Sequence, residues 1–439
     1  MQGRWVLARW QVARRLTERS GDNDLYLLDV GTGDVVHVSP HDDEASYGSP
    51  SWLPDSSAFF FSTDQGRDMA AVARYDVAEG SWQYVLERPW DTSCRIDWTG
   101  NHLLVETNED GTTAAELVDP EWLERTGAVS LPARGVASFG FLATAGCSPI
   151  RPAHRSSRVT PGSTTWKREA PPASPRRRAR CRPRRWWNRS CRFSSFDGEQ
   201  VAVFLYRPRA SNPPVVVYLH GGPESQYAPS FNPLIQYLVA RGYAVAAPNV
   251  RGSTGYGKRF SHLDDRTKRL DAVSDLAALH DWLGATAGVN ARRAALFGGS
   301  YGGYMVLAGL AFQPERWAAG VSVVGISSLK TFLENTSPWR RKFREREYGR
   351  LDTDGDFLLI ASPLTHADDI RAPLFLIHGE NDPRVPVGEA RQIHNLLEAK
   401  GIRTELVVYP DEGHGLGKLK NRLDAYPRAA AFLDDVLRP

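Results

Sequence analysis

The chain has 439 residues and a net charge of +3, so it is long enough for two or three domains with a substantial core. The small net charge conceals two unlike parts. Residues 151–192 carry 13 Arg and one Lys against one acidic residue, whereas the remainder carries 40 basic and 50 acidic residues. No stretch has the length and apolar character of a membrane span, the beginning lacks the apolar core of a secretory signal, and the four cysteines lack metal-ligand spacing. We therefore expect a cytoplasmic protein with no membrane association, disulfide, metal or cofactor.

Residues 1–145 contain short strands separated by turns, in a pattern that repeats. Leu25-Tyr26-Leu27-Leu28-Asp29 is echoed at residues 72–76 and 115–119, at offsets of 47 and 43 residues. A strand-only repeat of roughly 40 to 50 residues is typical of propeller blades, whereas a sandwich gives short strands without an internal echo. We predict a partial β-propeller of about three blade-like repeats. Its first residues resemble the inside of a blade, as though upstream sequence were missing.

Residues 146–192 fit neither this pattern nor the one that follows. The segment is rich in Arg, Pro and Ser and lacks both strand alternation and a helical stripe, so it cannot bury enough apolar surface to order itself. Arginines beside Trp186 and Trp187 could bind nucleic acid, and a disordered linker is the plainer alternative. We favour a third hypothesis, translation of a shifted frame in GC-rich DNA, which explains the residue bias and its abrupt end at Phe193. No nucleic-acid partner is therefore predicted.

Residues 193–439 alternate strands with helices, which predicts an α/β fold with a mainly parallel, doubly wound sheet. Apolar strands are predicted at 201–206, 215–219 and 244–247, and helical spacing covers 270–283. The strand at 215–219 ends in His220-Gly221-Gly222-Pro223. Glycines at such a place let backbone N–H groups approach an oxyanion, and an ordinary tight turn is the alternative.

Residues 294–312 predict a strand, a sharp turn and a helix around Gly298-Gly299-Ser300-Tyr301-Gly302. This pentapeptide matches the G-x-S-x-G nucleophile elbow, in which glycines allow a serine to project from a strained turn. A glycine-rich turn with an incidental serine is the alternative. At the start of the helix, Ser300 would lie beside free backbone N–H groups that favour a developing oxyanion.

An acid and a histidine follow this serine in the order found in α/β-hydrolases. Asp382 lies in the loop after a predicted strand at 372–379, and His414 lies in the loop after a predicted strand at 406–409. The carboxyl ends of parallel strands meet at one edge of a sheet, where catalytic groups collect. We therefore predict that Ser300, Asp382 and His414 form a catalytic triad.

Five motifs in order make residues 193–439 resemble the catalytic domain of the prolyl oligopeptidase family, and within it the acylaminoacyl-peptidase and dipeptidyl-peptidase-like branch. The motifs are His220-Gly221-Gly222-Pro223, Asn249-Val250-Arg251-Gly252-Ser253 with Gly255-Tyr256-Gly257, Gly298-Gly299-Ser300-Tyr301-Gly302-Gly303, His378-Gly379 with Asp382 and Val385-Pro386, and Glu412-Gly413-His414. Members carry a β-propeller ahead of the hydrolase, as the repeat independently suggests. The resemblance implies a serine peptidase acting on short peptides, with Ser300 as nucleophile, His414 as base and Asp382 orienting the base.

The resemblance also implies an oxyanion hole made from the backbone. Prolyl oligopeptidases themselves have a tyrosine where His220 stands, and its hydroxyl completes their hole. This chain lacks that hydroxyl, so the N–H of Tyr301 with that of Gly221 or Gly222 is expected instead, as in the acylaminoacyl branch.

A specificity pocket follows from the same resemblance. Val385 and the segment from residue 323 to 332, which includes Val324 and Phe332, should form its walls. Arg384 either holds a substrate carbonyl or is an ordinary exposed turn residue. An apolar pocket of this kind favours a hydrophobic or small side chain before the scissile bond.

Access to the site is a further expectation from the family, in which the propeller covers the active site and admits only short peptides. About three blades are fewer than the roughly 4 to 8 that radial closure takes, so we expect exposed strand edges, self-association and weak size selection. The homo-oligomeric state is left open. Three alternatives are kept: an esterase or amidase with the same triad, an inactive product of a truncated, frame-damaged gene, and a propeller binding module with a silent hydrolase.

Overall fold

A computed structural model describes residues 10–16, 21–48, 50–129, 135–141, 150–152, 187–285 and 288–438. All-β sheets come first in these ranges, and one large mixed sheet with helices follows. No helix within them has both the length and the hydropathy that a membrane span needs. Most of the predicted Arg-rich segment, residues 153–186, lies outside the described residues, so the hypotheses of disorder and of a shifted frame stay predictions.

The N-terminal part consists of antiparallel meanders in which each strand pairs with the next one along the chain. Such meanders are the arrangement found in propeller blades. A three-stranded sheet holds β1–β3, two four-stranded sheets hold β4–β7 and β8–β11, and a two-stranded ladder holds β12 and β13. The bounds are β1 Trp10–Leu16, β2 Asn23–Asp29, β3 Val35–His37, β4 Ser51–Trp52, β5 Ala58–Thr63, β6 Ala71–Asp76, β7 Ser81–Leu86, β8 Thr92–Ile96, β9 Leu103–Glu109, β10 Thr112–Val118, β11 Arg125–Ala128, β12 Phe139–Phe141 and β13 Ile150–Pro152.

The sequence echo at residues 25–29, 72–76 and 115–119 falls on the penultimate strand of three successive sheets, β2, β6 and β10. In each case the closing aspartate, Asp29, Asp76 or Asp119, uses Oδ1 to accept backbone N–H groups two and three residues later, at 2.8 to 3.3 Å. An aspartate that bonds its own backbone in this way fixes a tight turn. One hairpin is thus built three times with the same side chain, which is the physical basis of the repeat.

The remaining elements form the α/β part. Its strands are β14 Trp187–Ser194, β15 Gln200–Arg207, β16 Pro214–Leu219, β17 Ala244–Asn249, β18 Asn290–Gly299, β19 Ala319–Val323, β20 Leu374–Gly379 and β21 Thr404–Tyr409. Its helices are α1 Pro233–Ala240, α2 Lys258–Ser261, α3 Arg269–Ala285, α4 Tyr301–Phe312, α5 Leu329–Asn335, α6 Pro338–Tyr348, α7 Gly355–Ile360, α8 Gly388–Ala399 and α9 Leu419–Leu437.

The sheet of this part has the order β14-β15-β17-β16-β18-β19-β20-β21, and among these strands β15 alone runs antiparallel to its neighbours. Helices cover both faces, because alternate side chains of a strand point to opposite sides. Val217 belongs to the core cluster that includes Leu307 of α4, whereas the adjacent Val216 belongs to the cluster that includes Leu433 of α9. This is the doubly wound hydrolase sheet expected from the alternation of elements.

Both ends of the segment predicted at 146–192 differ from that prediction. Ile150–Pro152 pairs with Phe139–Phe141, and Trp187–Ser194 pairs along its length with Gln200–Arg207. The large sheet therefore begins before Phe193, where we predicted the catalytic domain to start. Backbone pairing with a neighbouring strand orders residues whose own side chains lack alternation, and a pattern search along the chain cannot detect that pairing.

The N-terminal sheets contact the α/β part through the charged region around α2. The Nζ of Lys258 donates to the backbone oxygens of Glu44 at 2.6 Å and Asp64 at 3.1 Å. His262 lies between two carboxylates, with Nε2 3.3 Å from Glu44 and Nδ1 2.7 Å from Asp265. These contacts contribute to the interface together with the ion pair of Arg192 with Asp110.

Candidate active site

The turn between β18 and α4 places Ser300 at the carboxyl edge of the large sheet. Its backbone has φ 58° and ψ −119°, a conformation that costs a residue with a Cβ energy. The glycines around it are required by close packing: a Cβ on Gly298 would lie 2.3 Å from the carbonyl oxygen of Gly302, and a Cβ on Gly302 would lie 2.2 Å from that of Leu219. These contacts explain the local sequence and hold the serine side chain clear of the turn.

Ser300, His414 and Asp382 lie within hydrogen-bond distance of one another in that order. The Oγ of Ser300 is 3.0 Å from Nε2 of His414, and Nδ1 of the same imidazole is 2.8 Å from Oδ2 of Asp382. Asp382 and His414 follow the neighbouring strands β20 and β21, and Ser300 follows β18, which β19 separates from β20. This geometry allows the imidazole to accept the hydroxyl proton while the carboxylate stabilises the resulting imidazolium.

The surroundings of Asp382 keep its carboxyl group charged and oriented. Oδ1 accepts the backbone N–H groups of Arg384 at 2.8 Å and Val385 at 3.0 Å, which leaves Oδ2 for the imidazole. Burial opposes ionisation, but the hydrogen bond from His414 and those two N–H groups hold the pKa of Asp382 below its ordinary value. The neighbouring His378 is fully buried, and burial lowers its pKa. It is thus kept uncharged beside Asp382, with Nε2 2.9 Å from the carbonyl oxygen of Val385.

The backbone groups expected to bind an oxyanion lie on the other side of Ser300. Tyr301 is the first residue of α4, so its N–H has no acceptor within the helix. Gly221 approaches so closely that a Cβ there would lie 3.4 Å from the Cβ of Ser300, and Gly222 lines the same cavity as Ser300. The phenol of Tyr301 points away from the site and donates to buried Asp264 at 3.1 Å. This hydrogen bond ties the first residue of α4 to the buried carboxylate of Asp264.

A cavity of about 100 Å³ opens beside Ser300. Of the predicted specificity residues, Val385, Arg384 and Phe332 line it together with Ser300 and His414. Val324 does not line it. That residue is buried after β19, where its backbone N–H donates to the carbonyl oxygen of Ile377 at 2.8 Å.

The cavity also contains residues that the sequence analysis did not single out, namely Ile326, Arg340, Arg344 and Tyr348. The last three belong to α6, which no catalytic motif includes. The one available signal was the spacing of four residues between the three, which puts them on one face of a helix starting at Pro338. Their presence makes the cavity more cationic than the apolar pocket we expected.

Comparison with known proteins identifies the relationship. Residues 229–439 match the model of the prolyl oligopeptidase family. The family model thus matches the α/β part of the chain, from the residues before α1 to the last residue. Dipeptidyl aminopeptidase BIII of Pseudoxanthomonas mexicana is 30% identical over 397 residues, which cover 84% of this chain and 56% of that enzyme. Acylamino-acid-releasing enzyme of Sus scrofa is 27% identical over 241 residues, covering 52% of this chain and 32% of the relative. The chain thus spans about half the length of the first relative and about a third of the length of the second.

Solved structures share the fold of this chain. A puromycin-hydrolysing peptidase of Mycobacterium tuberculosis aligns with a TM-score of 0.81 at 20% identity, covering 98% of this chain and 68% of that one. An acylaminoacyl peptidase of Pyrococcus horikoshii aligns with a TM-score of 0.71 at 18% identity, covering 96% and 68%. The predicted fold, an all-β partial propeller ahead of an α/β-hydrolase, is confirmed.

Proposed function

We propose that this chain is a serine peptidase that hydrolyses short peptides, of the aminopeptidase, acylaminoacyl-peptidase or dipeptidyl-peptidase type. The observation that carries the proposal is the row of contacts from Ser300 through His414 to Asp382, at 3.0 and 2.8 Å, on a strained turn between a strand and a helix. The match to the family model supports the reaction class. The names of the relatives support peptides as substrates.

In the first half of the proposed reaction, Oγ of Ser300 attacks the carbonyl carbon of the scissile bond. Nε2 of His414 takes the hydroxyl proton, and Asp382 stabilises the imidazolium that forms. The carbonyl oxygen becomes an oxyanion and accepts N–H groups from Tyr301 and from Gly221 or Gly222. Collapse of this intermediate breaks the C–N bond, and His414 gives its proton to the leaving amine.

In the second half, water hydrolyses the acyl-enzyme. His414 takes a proton from the water as its oxygen attacks the acyl carbon, and then returns that proton to Oγ of Ser300 as the acid leaves. The side chain of the acylated residue occupies the cavity beside Val385 and Phe332 during both halves. We place this activity in the cytoplasm, on the ground that the cysteine usage gives no sign of a disulfide framework.

Two measurements test the proposal. A fluorophosphonate probe should label one serine stoichiometrically, and mass spectrometry of the digest should locate the label on Ser300. A library of short peptides and aminoacyl amides should be cleaved by the full chain, with cleavage sites read by mass spectrometry. Labelling of another serine would contradict the assigned nucleophile. Hydrolysis of esters without hydrolysis of the matched amides would favour the esterase alternative.

A further inference from the structure

The cavity beside Ser300 has an excess of positive charge. Three of its lining residues are arginines, Arg340 and Arg344 from α6 and Arg384 from the loop after β20. Its described lining includes no aspartate or glutamate. Arg384 is exposed, whereas Arg340 and Arg344 are half-buried, where a charge without a partner is costlier than in water.

Arg340 and Arg344 differ in what they contact. Arg344 donates to Glu347 at 2.8 Å, so this pair is neutral as a unit. The Nε of Arg340 is buried and lacks a hydrogen-bond partner, and within the described residues neither Arg340 nor Arg384 forms an ion pair. Arg340 therefore lines the cavity without a direct ion-pair partner among the described residues, although the charge of Asp382 acts on it from further away.

The spacing of these arginines adds to the imbalance. Arg340 and Arg344 are one helical turn apart on α6, where like charges repel. Burial and the charges of Arg344 and Arg384 lower the pKa of Arg340 from its usual value, although Asp382 opposes that shift. A bound carboxylate would reverse that repulsion, because guanidinium groups bind carboxylates through paired charge-assisted hydrogen bonds.

The other walls of the cavity suit a short aliphatic stem. Ile326, Phe332 and Val385 are buried apolar residues that contact the same space. The cavity is small, about 100 Å³, which suits a short side chain. One or two methylene groups ending in a carboxylate match both the walls and the charge.

We propose that this cavity binds the acidic side chain of the residue that supplies the scissile carbonyl, so that the enzyme prefers peptides with Glu or Asp at that position. The inference rests on the proposed peptidase function, and it replaces the hydrophobic preference expected from sequence. Ser300 and His414 line the cavity directly, so the side chain that fills it belongs to the residue being acylated. A positively charged pocket wall selects against Lys and Arg at the same position.

The test uses the full chain and blocked fluorogenic amides that differ only at this position, with Glu, Asp, Gln, Leu or Lys. These substrates carry no free terminal carboxylate, so any preference for Glu over Gln reports the side chain alone. We expect kcat/KM for Glu to exceed that for Gln roughly 10- to 100-fold, the range expected for hydrogen bonds to a charged group. R340Q should abolish most of this ratio, chiefly by lowering kcat/KM for the Glu substrate.

Two further variants keep the result interpretable. R344Q/E347Q removes the buried ion pair as a unit, so that no unpaired carboxylate is left, and should also reduce the Glu:Gln ratio. R350Q removes one charge just beyond α6, where the side chain is exposed and pairs with Asp352, and should leave the ratio intact. Equal rates on Glu and Gln, or a Leu preference that R340Q does not alter, would overturn the inference while the peptidase stands. Failure to hydrolyse any of the amides, with Ser300 unlabelled by fluorophosphonate, would overturn both.

Discussion

The catalytic sheet and the N-terminal meanders bury their strands in different ways. Every residue of β17 and β20 is buried, whereas the outer strands β7 and β11 of the N-terminal sheets are largely accessible. A strand covered on both faces has a near-continuous apolar sequence, whereas a strand with one face exposed to solvent alternates apolar and polar residues. Reactive groups can therefore be added at the ends of the catalytic strands without disturbing a core that is already complete. The N-terminal sheets bury smaller cores, such as the one around Phe59 and Phe61, and leave their outer strands accessible.

Ser300→Ala tests the catalytic side of this comparison and has the largest expected effect. The substitution removes the nucleophilic oxygen and keeps the Cβ and the backbone of the elbow, so we expect turnover to fall about a millionfold. The unfolding temperature should stay within a few degrees of that of the original chain, measured by circular dichroism. Retention of peptide hydrolysis by this variant would eliminate Ser300 as the nucleophile.

Gly302→Ala tests the packing beneath the same site. A Cβ at this position lies 2.2 Å from the backbone oxygen of Leu219, which cannot move without shifting β16. We expect the free energy of unfolding to fall by about 3 kcal/mol or more, with activity lost as the elbow is displaced. The control is Gly388→Ala at the start of α8, where no atom lies within 4 Å of the added Cβ. Equal stability of the two variants would contradict the close-approach argument.

His262→Gln tests the interface between the two regions through pH. Hydrogen bonds from His262 to the carboxylates of Asp265 and Glu44 raise the pKa of His262 to about 10, above its ordinary value of 6.5. A pKa raised by folding contributes stability that is fully present below pH 6.5 and is lost as the pH rises through 10. We expect His262→Gln to lower the free energy of unfolding by about 1 to 2 kcal/mol at pH 6 and to leave it unchanged near pH 11. The loss at pH 6 is modest because Arg346 approaches the same ring and opposes its charge.

Denaturant unfolding at several pH values measures this difference. The control is His366→Gln, because the half-buried imidazole of His366 contacts the carbonyl oxygen of Ile360 and the ring of Phe312, and no carboxylate is among its described partners. Peptide hydrolysis at neutral pH should be retained in both variants. A stability difference for His262→Gln that does not vary with pH would show that the ring acts by packing alone.

Asp76→Ala tests one of the three matching hairpins and has the smallest expected effect. The change removes two hydrogen bonds to the backbone N–H groups of Ala78 and Glu79 in an exposed turn, so we expect a loss of about 1 kcal/mol in stability and unchanged turnover. Glu79→Ala alters one charge in the same turn and keeps both bonds, so it should be neutral. A loss of turnover in Asp76→Ala at full stability would contradict the separation of roles between the two regions.

The α/β fold was predictable because local signals agree with the global arrangement. Buried strands give apolar runs, and the motif around Ser300 is contiguous, so the order of Ser300, Asp382 and His414 could be recognised without coordinates. Their distances could not, because three separate strand ends must first be aligned in one sheet. The repeat of the N-terminal sheets was also detectable, since Asp29, Asp76 and Asp119 each specify a turn within a few residues.

The charged wall of the cavity was not predictable by the same means. Arg340 and Arg344 reach Ser300 only because α6 folds back over the carboxyl edge of the sheet, and no motif marks that path. Val324 was misplaced for a related reason: nearness in sequence to the pocket segment does not show which side chains face the cavity. The interface residues Glu44 and Lys258 are 214 positions apart, so their contact depends on how two separately folded regions meet.

The backbone of Ser300 carries a trade-off between stability and function. Its φ of 58° lies where a residue with a Cβ is disfavoured by about 1 to 3 kcal/mol and glycine is not. A chain under no selection for turnover would gain stability by exchanging this serine for glycine, whereas an active enzyme must retain the disfavoured residue. The most active version of this fold is therefore not its most stable one, and attempts to stabilise the protein by consensus or by screening should hold position 300 fixed.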